Sequence, residues 1–291
     1  MNNVAIILTL NESLHLERCI LSLIPVFERI YVVDSFSSDN TKEIANKYSV
    51  NFIEHNFINH SEQFNWSLNQ IDKETNWVLR IDADEYLTEY LRMEILLKLN
   101  KLKNSINGVY IPRKIIFQNK LISHGDISST KVLRLFRYGF GKCDERWMDE
   151  HIKVKGETIS FLNPLIDHNL KSITWWINKH NKYASKEAYE IIKEEYGLSK
   201  TNKDSYFKSY RKRNIYYRMP IFLRAFIYFS YRFIIRLGFL DGLRGFCFHF
   251  LQAFWYRLLV DLKYLEVKNK IKSNKTLFKE AIKGCLDIDN I

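Results

Sequence analysis

The stretch "NWVLRIDADEYL" (76–87) runs an apolar segment into three carboxylates, Asp82, Asp84 and Glu85, within four residues. Like charges so close repel one another, so their place at the end of a buried strand needs a physical reason. Reading outward, "VAIIL" (4–8), "RIYVVD" (29–34) and "NFIEHN" (51–56) are three earlier apolar strands, and 76–82 is the fourth. Helical stretches separate them. "NESLHLERCILSLI" (11–24) gathers Leu14, Leu16, Ile20, Leu21 and Leu23 on one side, "SDNTKEIANKY" (38–48) opens on capping residues, and "SEQFNWSLNQI" (61–71) is the third. Continuous apolar strands alternating with short helices predict an α/β fold with a parallel sheet covered on both faces.

In such sheets ligands bind beyond the carboxyl ends of the strands. The polar residues leaving those ends are Thr9, Asn11 and Glu12, then Asp34 and Ser35, then Asp82, Asp84 and Glu85. Carboxylates that repel one another alone are favourable around a divalent cation, because hard cations take oxygen ligands. The same acids also suit the start of the helix in "EYLTEYLRMEILLKL" (85–99), where each contributes about 0.3–1 kcal/mol. The chain has neither G-x-G-x-x-G after the first strand nor G-x-x-x-x-G-K-[ST]. A bound nucleotide would have its phosphates neutralised by a metal and basic side chains instead.

The 291 residues are 46% hydrophobic with only 4 Pro and 10 Gly, enough for a large core and without a Gly/Ser-rich linker. The apolar run at the N-terminus is short and lacks a basic leader, which is not the pattern of a signal peptide. Cys19, Cys143, Cys247 and Cys285 are scattered without a C-x-x-C, which fits buried thiols in a reducing compartment. Charge is uneven. Residues 1–150 hold 18 Lys+Arg and 20 Asp+Glu, a net of −2, whereas 201–275 hold 16 and 4, a net of +12. The organisation expected is a near-neutral domain over 1–200 and a basic, aromatic region over 201–291.

"AIILTLNESLHLERCILSL", "IYVVDSFSSDNTKEIA" and "WVLRIDADEYL" resemble the inverting family 2 glycosyltransferases with the GT-A fold, above all bacterial enzymes of lipopolysaccharide core and surface-polysaccharide synthesis. Weaker echoes follow in "VLRLFR" (132–137), "WMDEHI" (147–152), "IDHNL" (166–170) and "RLGFLDGLRGF" (236–246). The resemblance implies a GT-A Rossmann-like, mostly parallel sheet and a nucleotide-sugar donor, most often a UDP-sugar. Thr9, Asn11 and Glu12 would line the nucleotide pocket, Asp34 would face the base, and Gln63 and Asn65 would touch the sugar or diphosphate. Asp84 would bind Mg²⁺ or Mn²⁺, with Asp82 reaching the ribose or the metal shell and His168 offering an imidazole to the metal or a phosphate. Arg134 and Arg137 would contact diphosphate or acceptor. The general base would be Glu150 in "RWMDEHIKV", with Asp149, where the family commonly has His, as the alternative.

"MPIFLRAFIYFSYRFIIRLGFL" (219–240) is apolar and aromatic apart from Arg224, Arg232 and Arg236, which fall within about a 120° arc of a helix. "DGLRG" (241–245) breaks it, and "FCFHFLQAFWYRLLVDLKYLE" (246–266) resumes. The longest uncharged run, "GFCFHFLQAFWY", has 12 residues, short of the ~20 a spanning helix needs. Helices lying on an anionic membrane are expected, arginines toward headgroups and aromatics inserted. That suits a lipid-linked saccharide acceptor and a peripheral position on the cytoplasmic face of a bacterial inner membrane. A pI near 9.3 also suits nucleic acid, but the basic third is as apolar as it is basic and carries no RNA or zinc motif, so no nucleic-acid partner is expected. A sugar-nucleotide pyrophosphorylase would need a Gly-rich loop after strand one. A non-catalytic membrane scaffold would not need the D-x-D pair and Glu150.

Overall fold

The computed structural model describes residues 2–127, 130–144, 151–196, 198, 219–274 and 278–286. Strands β1 (Asn3–Thr9), β2 (Arg29–Asp34), β3 (Asn51–Glu54) and β4 (Trp77–Asp82) lie where the apolar runs predict. Helices α1 (Ser13–Leu23), α2 (Thr41–Lys47) and α3 (His60–Ser67) connect them, and α4 (Glu89–Lys98) follows β5 (Glu85–Leu87). Every residue of β1 is buried, so its two faces must both be covered, and its side chains sort with a period of two. Ala5 and Ile7 pack with Leu16, Ile20 and Leu23 of α1. Val4, Ile6 and Leu8 pack with Phe64 of α3 on the other face. Asn59 and Thr88 cap α3 and α4 by accepting hydrogen bonds from Glu62 N and Leu91 N.

Strands β3, β2, β1 and β4 are parallel in that order. The expected mostly parallel sheet holds for this half. Residues 106–167 add β6 (Ile106–Phe117), β7 (Lys120–Ile122), β8 (Lys131–Arg137), β9 (Gly141–Cys143), β10 (Ile152–Val154), β11 (Glu157–Ser160) and β12 (Leu165–Asp167). β8 pairs antiparallel with β4, and β6 antiparallel with β8. β12 then pairs parallel with β6 and antiparallel with β5. The sheet is therefore mixed, and its last pairing sets Asp167 directly opposite Glu85.

The chain forms two compact units, Met1–Ser123 with Ile127–Leu170, and His124–Asp126 with Lys171–Ile291. This division falls after Leu170, against the boundary at 200 read from charge. In the second unit α5 (Ile173–Glu195) packs on α8 (Tyr256–Asn274) and α9 (Phe278–Leu286) around Ala184, Ala188, Ile192, Val260 and Val267. The expected helical region is present as α6 (Ile221–Ser230), a π-helical turn over Tyr231–Ile235, α7 (Gly242–His249) and a second π-helical turn over Phe250–Trp255 that runs into α8. The break falls where Leu237 and Gly242 take positive φ of 59° and 67°. No helix among the described residues is long and apolar enough to cross a membrane.

The direction of the arginine arc corrects the sequence expectation. Arg224 is buried and donates from Nε to Asp261 Oδ2 at 2.7 Å. Arg232 is buried and donates to the Gly125 carbonyl at 3.0 Å. Arg236, partly exposed, is paired with Asp126 at 2.6 Å. Arg224 and Arg232 face inward because each has an oxygen partner there, the Arg236–Asp126 pair stays at the surface, and large apolar side chains of α6 and α7 such as Phe222, Phe226 and Leu243 are exposed.

Candidate active site

In the order β3-β2-β1-β4 the chain steps outward from β1 and then returns to its other side. The switch point, where such sheets bind ligands, lies between β1 and β4. The parallel register aligns Thr9 with Asp34 and Leu8 with Asp82, so the predicted polar residues do share one edge.

The nucleotide-side residues are committed mostly to one another. Asp34, 1% exposed, accepts from Thr9 Oγ1 at 2.8 Å, Ser37 Oγ at 2.6 Å and Ser37 N at 2.6 Å. Asn11 has φ of 55° and accepts from Ser38 N at 2.8 Å. Glu12 N donates to Thr41 Oγ1 at 3.0 Å. These bonds fold the β1–α1 and β2–α2 loops together into one wall. Gln63 is buried, donating to Ser35 Oγ at 2.7 Å, and Asn65 holds both N and O of Cys143 at 2.9 Å. The side-chain amides of Gln63 and Asn65 thus brace the β2 end and β9.

At the end of β4 the acids separate into distinct environments. Arg134 of β8 is buried and donates from one Nη to Asp82 Oδ2 and to Glu85 Oε1, both at 2.7 Å. Arg80 lies 3.6 Å from the other Asp82 oxygen. Burial works to raise the Asp82 pKa, but Arg134 and then Arg80 outweigh it and hold the carboxyl well below its usual range. Glu85, 1% exposed, is raised by burial, with Arg134 pulling it down and Asp82 pushing it up. Arg134 is therefore a counter-ion of the acid cluster. Arg137 aligns with Trp77 at the opposite end of β4 and stacks over its ring at 4.7 Å, which removes it from the predicted diphosphate site.

Asp84 sits in the two-residue turn between β4 and β5 and accepts from Asn169 Nδ2 at 3.0 Å. Its carbonyl accepts from His168 N and from Arg18 Nη2, at 3.0 and 3.3 Å. Arg18 also donates to the His168 carbonyl at 2.6 Å and lies 3.1 Å from His168 Nδ1. A guanidinium only donates, so Nδ1 supplies the lone pair and the neutral imidazole carries its proton on Nε2. In this arrangement His168 presents an N–H, which suits a phosphate oxygen and not a metal. Burial first, and then Arg18, lower its pKa and keep it neutral. His15, fully buried, accepts from Leu170 N at 2.8 Å and donates from Nδ1 to Glu12 Oε2 at 2.6 Å. Two residues of α1, Arg18 and His15, therefore pin the 168–170 loop beside the acid turn.

Sequence reasoning did not assign Arg18, His15 or Asp167. Asp167 opposes Glu85 across two strands, and Arg113 lies 3.9 Å from it. Burial, then Asp84 and Glu85, push its carboxyl up to about 8, with Arg113 offsetting only part. Four carboxylates thus crowd this corner, and the arginines do not neutralise all of them. An all-oxygen donor set of this kind fits a hard divalent cation. Among the described residues no three His, Cys, Asp or Glu converge as a ready-made cage. A cation there would be held by one or two carboxylates and completed by substrate phosphates. Asp149 and Glu150 lie outside the described residues.

An uncharacterised glycosyltransferase of Rickettsia typhi is 24% identical, over 98% of this chain and 94% of its own length. One of Rickettsia prowazekii is 28% identical over 66% of this chain and 69% of its own. Among solved structures, TarS 1-349 of S. aureus in complex with UDP-GlcNAc aligns with a TM-score of 0.43 at 13% identity, over 91% of this chain and 92% of that one. Glucosyl-3-phosphoglycerate synthase from Mycobacterium tuberculosis, with Mn²⁺ and UDP, aligns with a TM-score of 0.34 at 20% identity, over 40% of this chain and 44% of that one. The model of glycosyl transferase family 2 matches residues 4–150, from the first strand through the acid corner to the predicted base. With half of its length accounted for in this way, the chain belongs to glycosyl transferase family 2.

Proposed function

We propose that this family 2 glycosyltransferase is a metal-dependent inverting enzyme. It moves a sugar from a UDP-sugar to a lipid-linked saccharide in the synthesis of lipopolysaccharide or another surface polysaccharide. The observation that carries the reading is the crowding of Asp82, Asp84, Glu85 and Asp167 beside the switch point, with Arg134 holding Asp82 and Glu85 in place. Asp84, with Asp82 alongside, would hold Mg²⁺ or Mn²⁺, which when bound supplies Lewis-acid neutralisation of the departing diphosphate. The wall built by Thr9, Asn11, Glu12 and Asp34 bounds the nucleotide side, and Gln63 and Asn65 fix its floor. His168 Nε2–H donates to a diphosphate oxygen. The acceptor hydroxyl oxygen attacks the anomeric carbon in line, and the bond to the diphosphate breaks with its electron pair leaving on UDP. The hydroxyl proton passes to Glu150, or to Asp149 in the alternative assignment. The acceptor stays in the bilayer, so the enzyme works peripherally on the cytoplasmic face of a bacterial inner membrane. The apolar surface of the second unit supports that placement.

The test is a panel of nucleotide sugars with Mn²⁺, scored by hydrolysis and thermal stabilisation. A UDP-sugar is expected to stand out. Glu150→Gln should leave donor affinity unchanged and lower turnover by about 10²–10⁴-fold. Normal turnover in that variant with a crippled Asp149→Asn would move the base by one residue, and a panel without any UDP-sugar response would sink the reading.

A further inference from the structure

Amphipathic surface helices normally turn charge outward and bury their apolar face. The stretch from Phe222 to Phe250 does the reverse. Thirteen of its large apolar residues are between 37% and 78% exposed, among them Phe226, Ile234, Ile235, Phe239, Leu240 and Leu243. Its only acid, Asp241, is buried and accepts from both His124 N and His124 Nδ1, at 2.9 and 2.8 Å. Two of its arginines, Arg224 and Arg232, are buried as well. With ~200 Å² per large side chain and about half of it exposed, this surface is on the order of 1,000 Å². Monomeric soluble proteins rarely expose an apolar patch beyond about 300–600 Å².

We infer that this face of the second unit is a membrane-insertion surface that enters one leaflet by its apolar side chains, and that surface charge is not what holds it there. The inference deepens the membrane placement proposed above and rests on it. Three features select a bilayer as the occupant. Both exposed charges within the stretch are positive, Arg236, which pairs with Asp126 at 2.6 Å, and Arg244, and no acid of the stretch itself is exposed, which leaves Arg244 to suit lipid phosphate. No helix among the described residues is long and apolar enough to cross a membrane, so an apolar face of this kind suits entry into one leaflet and not a span. A second copy docked face to face would bring Arg244 of both copies into one isologous contact, where like charges oppose binding.

The purified full chain is floated with phosphatidylcholine vesicles and with phosphatidylglycerol-containing vesicles, in low salt and in roughly 1 M salt, where the Debye length is about 3 Å. The wild type should float with neutral vesicles and lose less than about twofold of its partitioning in high salt. The double variant Ile235→Asp, Leu243→Asp changes two exposed side chains and should lower partitioning at least about tenfold, while Arg244→Gln should change it less than about threefold. Thermal stabilisation by UDP with Mn²⁺ should be the same in all three proteins. Flotation with anionic vesicles in low salt alone would overturn insertion while keeping membrane association. A dimer in solution that the double variant splits would make the face a self-interface instead. A monomer that floats with neither vesicle would remove both the insertion and the membrane placement, and retained UDP stabilisation in that case would leave the donor reading standing.

Discussion

Replacing Arg134 by Met keeps a stem of similar reach and removes the positive charge shared by Asp82 and Glu85. The two acids respond differently. Asp82 has a 38% exposed side chain and keeps Arg80 at 3.6 Å, so solvent screens much of its loss. Glu85 has a 1% exposed side chain and, without Arg134, is left as an uncompensated buried charge, a situation that costs about 3–5 kcal/mol. It can limit that cost by taking a proton. From an unfolded pKa near 4.5, staying neutral at pH 7 costs about 3.4 kcal/mol at 1.36 kcal/mol per unit. Because Glu85 is already raised in the wild type, that figure is an upper bound, and the expected destabilisation is about 1–3 kcal/mol at pH 7. The sign with pH follows from linkage: a carboxyl whose folded pKa is raised binds its proton more tightly in the folded state, so stability falls as pH rises above the unfolded pKa. Urea denaturation of Arg134→Met against wild type should thus show a smaller penalty at pH 5 than at pH 7. Adding Glu85→Gln should recover most of the loss. A penalty under about 1 kcal/mol at both pH values, or one that grows toward pH 5, would refute the counter-ion role given to Arg134.

Arg224→Gln should destabilise the second unit by about 3–5 kcal/mol in chemical denaturation, because Asp261 is buried and already raised by burial that Arg224 only partly offsets; replacing both residues by Leu should be close to neutral, and equal damage from both changes would contradict the pairing. Burial first, and then Arg232, push the His249 imidazole down to about 4, with Asp241 pulling it up and His124 lowering it further. The unfolded chain then takes up a proton near pH 6.5 that the folded chain refuses until about pH 4, so stability falls by up to about 3 kcal/mol across that window. His249→Leu should flatten this part of the stability–pH curve, and an unchanged slope would exclude His249 as its source.

The first half of the sheet was legible because strands buried on both faces are continuous apolar runs, and β1, β2 and β4 fall on those runs. The acid corner was legible because three carboxylates after such a run demand a reason. Asp167 was not legible, since a three-residue strand carries no periodicity and its pairing with Glu85 spans 82 residues of chain. Arg18 and His15 looked like ordinary polar positions of an amphipathic helix, and only the fold brings 168–170 to them. The clearest lesson is in Arg224 and Arg232. Helical spacing located their common arc but could not say which way it faced. Asp261, an acid inside the apolar run "RLLVDLKYL" (257–265), was the signal that a buried partner existed.

The central claim is a divalent-cation site at the carboxyl end of β4 that binds a nucleotide diphosphate through Asp84. Calorimetry of UDP with wild type and Asp84→Ala, each with Mn²⁺ and with chelator, tests it most directly. The account predicts that wild type binds UDP with Mn²⁺ and loses at least about tenfold in affinity, about 1.4 kcal/mol, with chelator. Asp84→Ala should bind weakly in both conditions and keep the wild-type urea midpoint. Wild-type affinity in Asp84→Ala, or UDP binding to wild type that is indifferent to the cation, would contradict it.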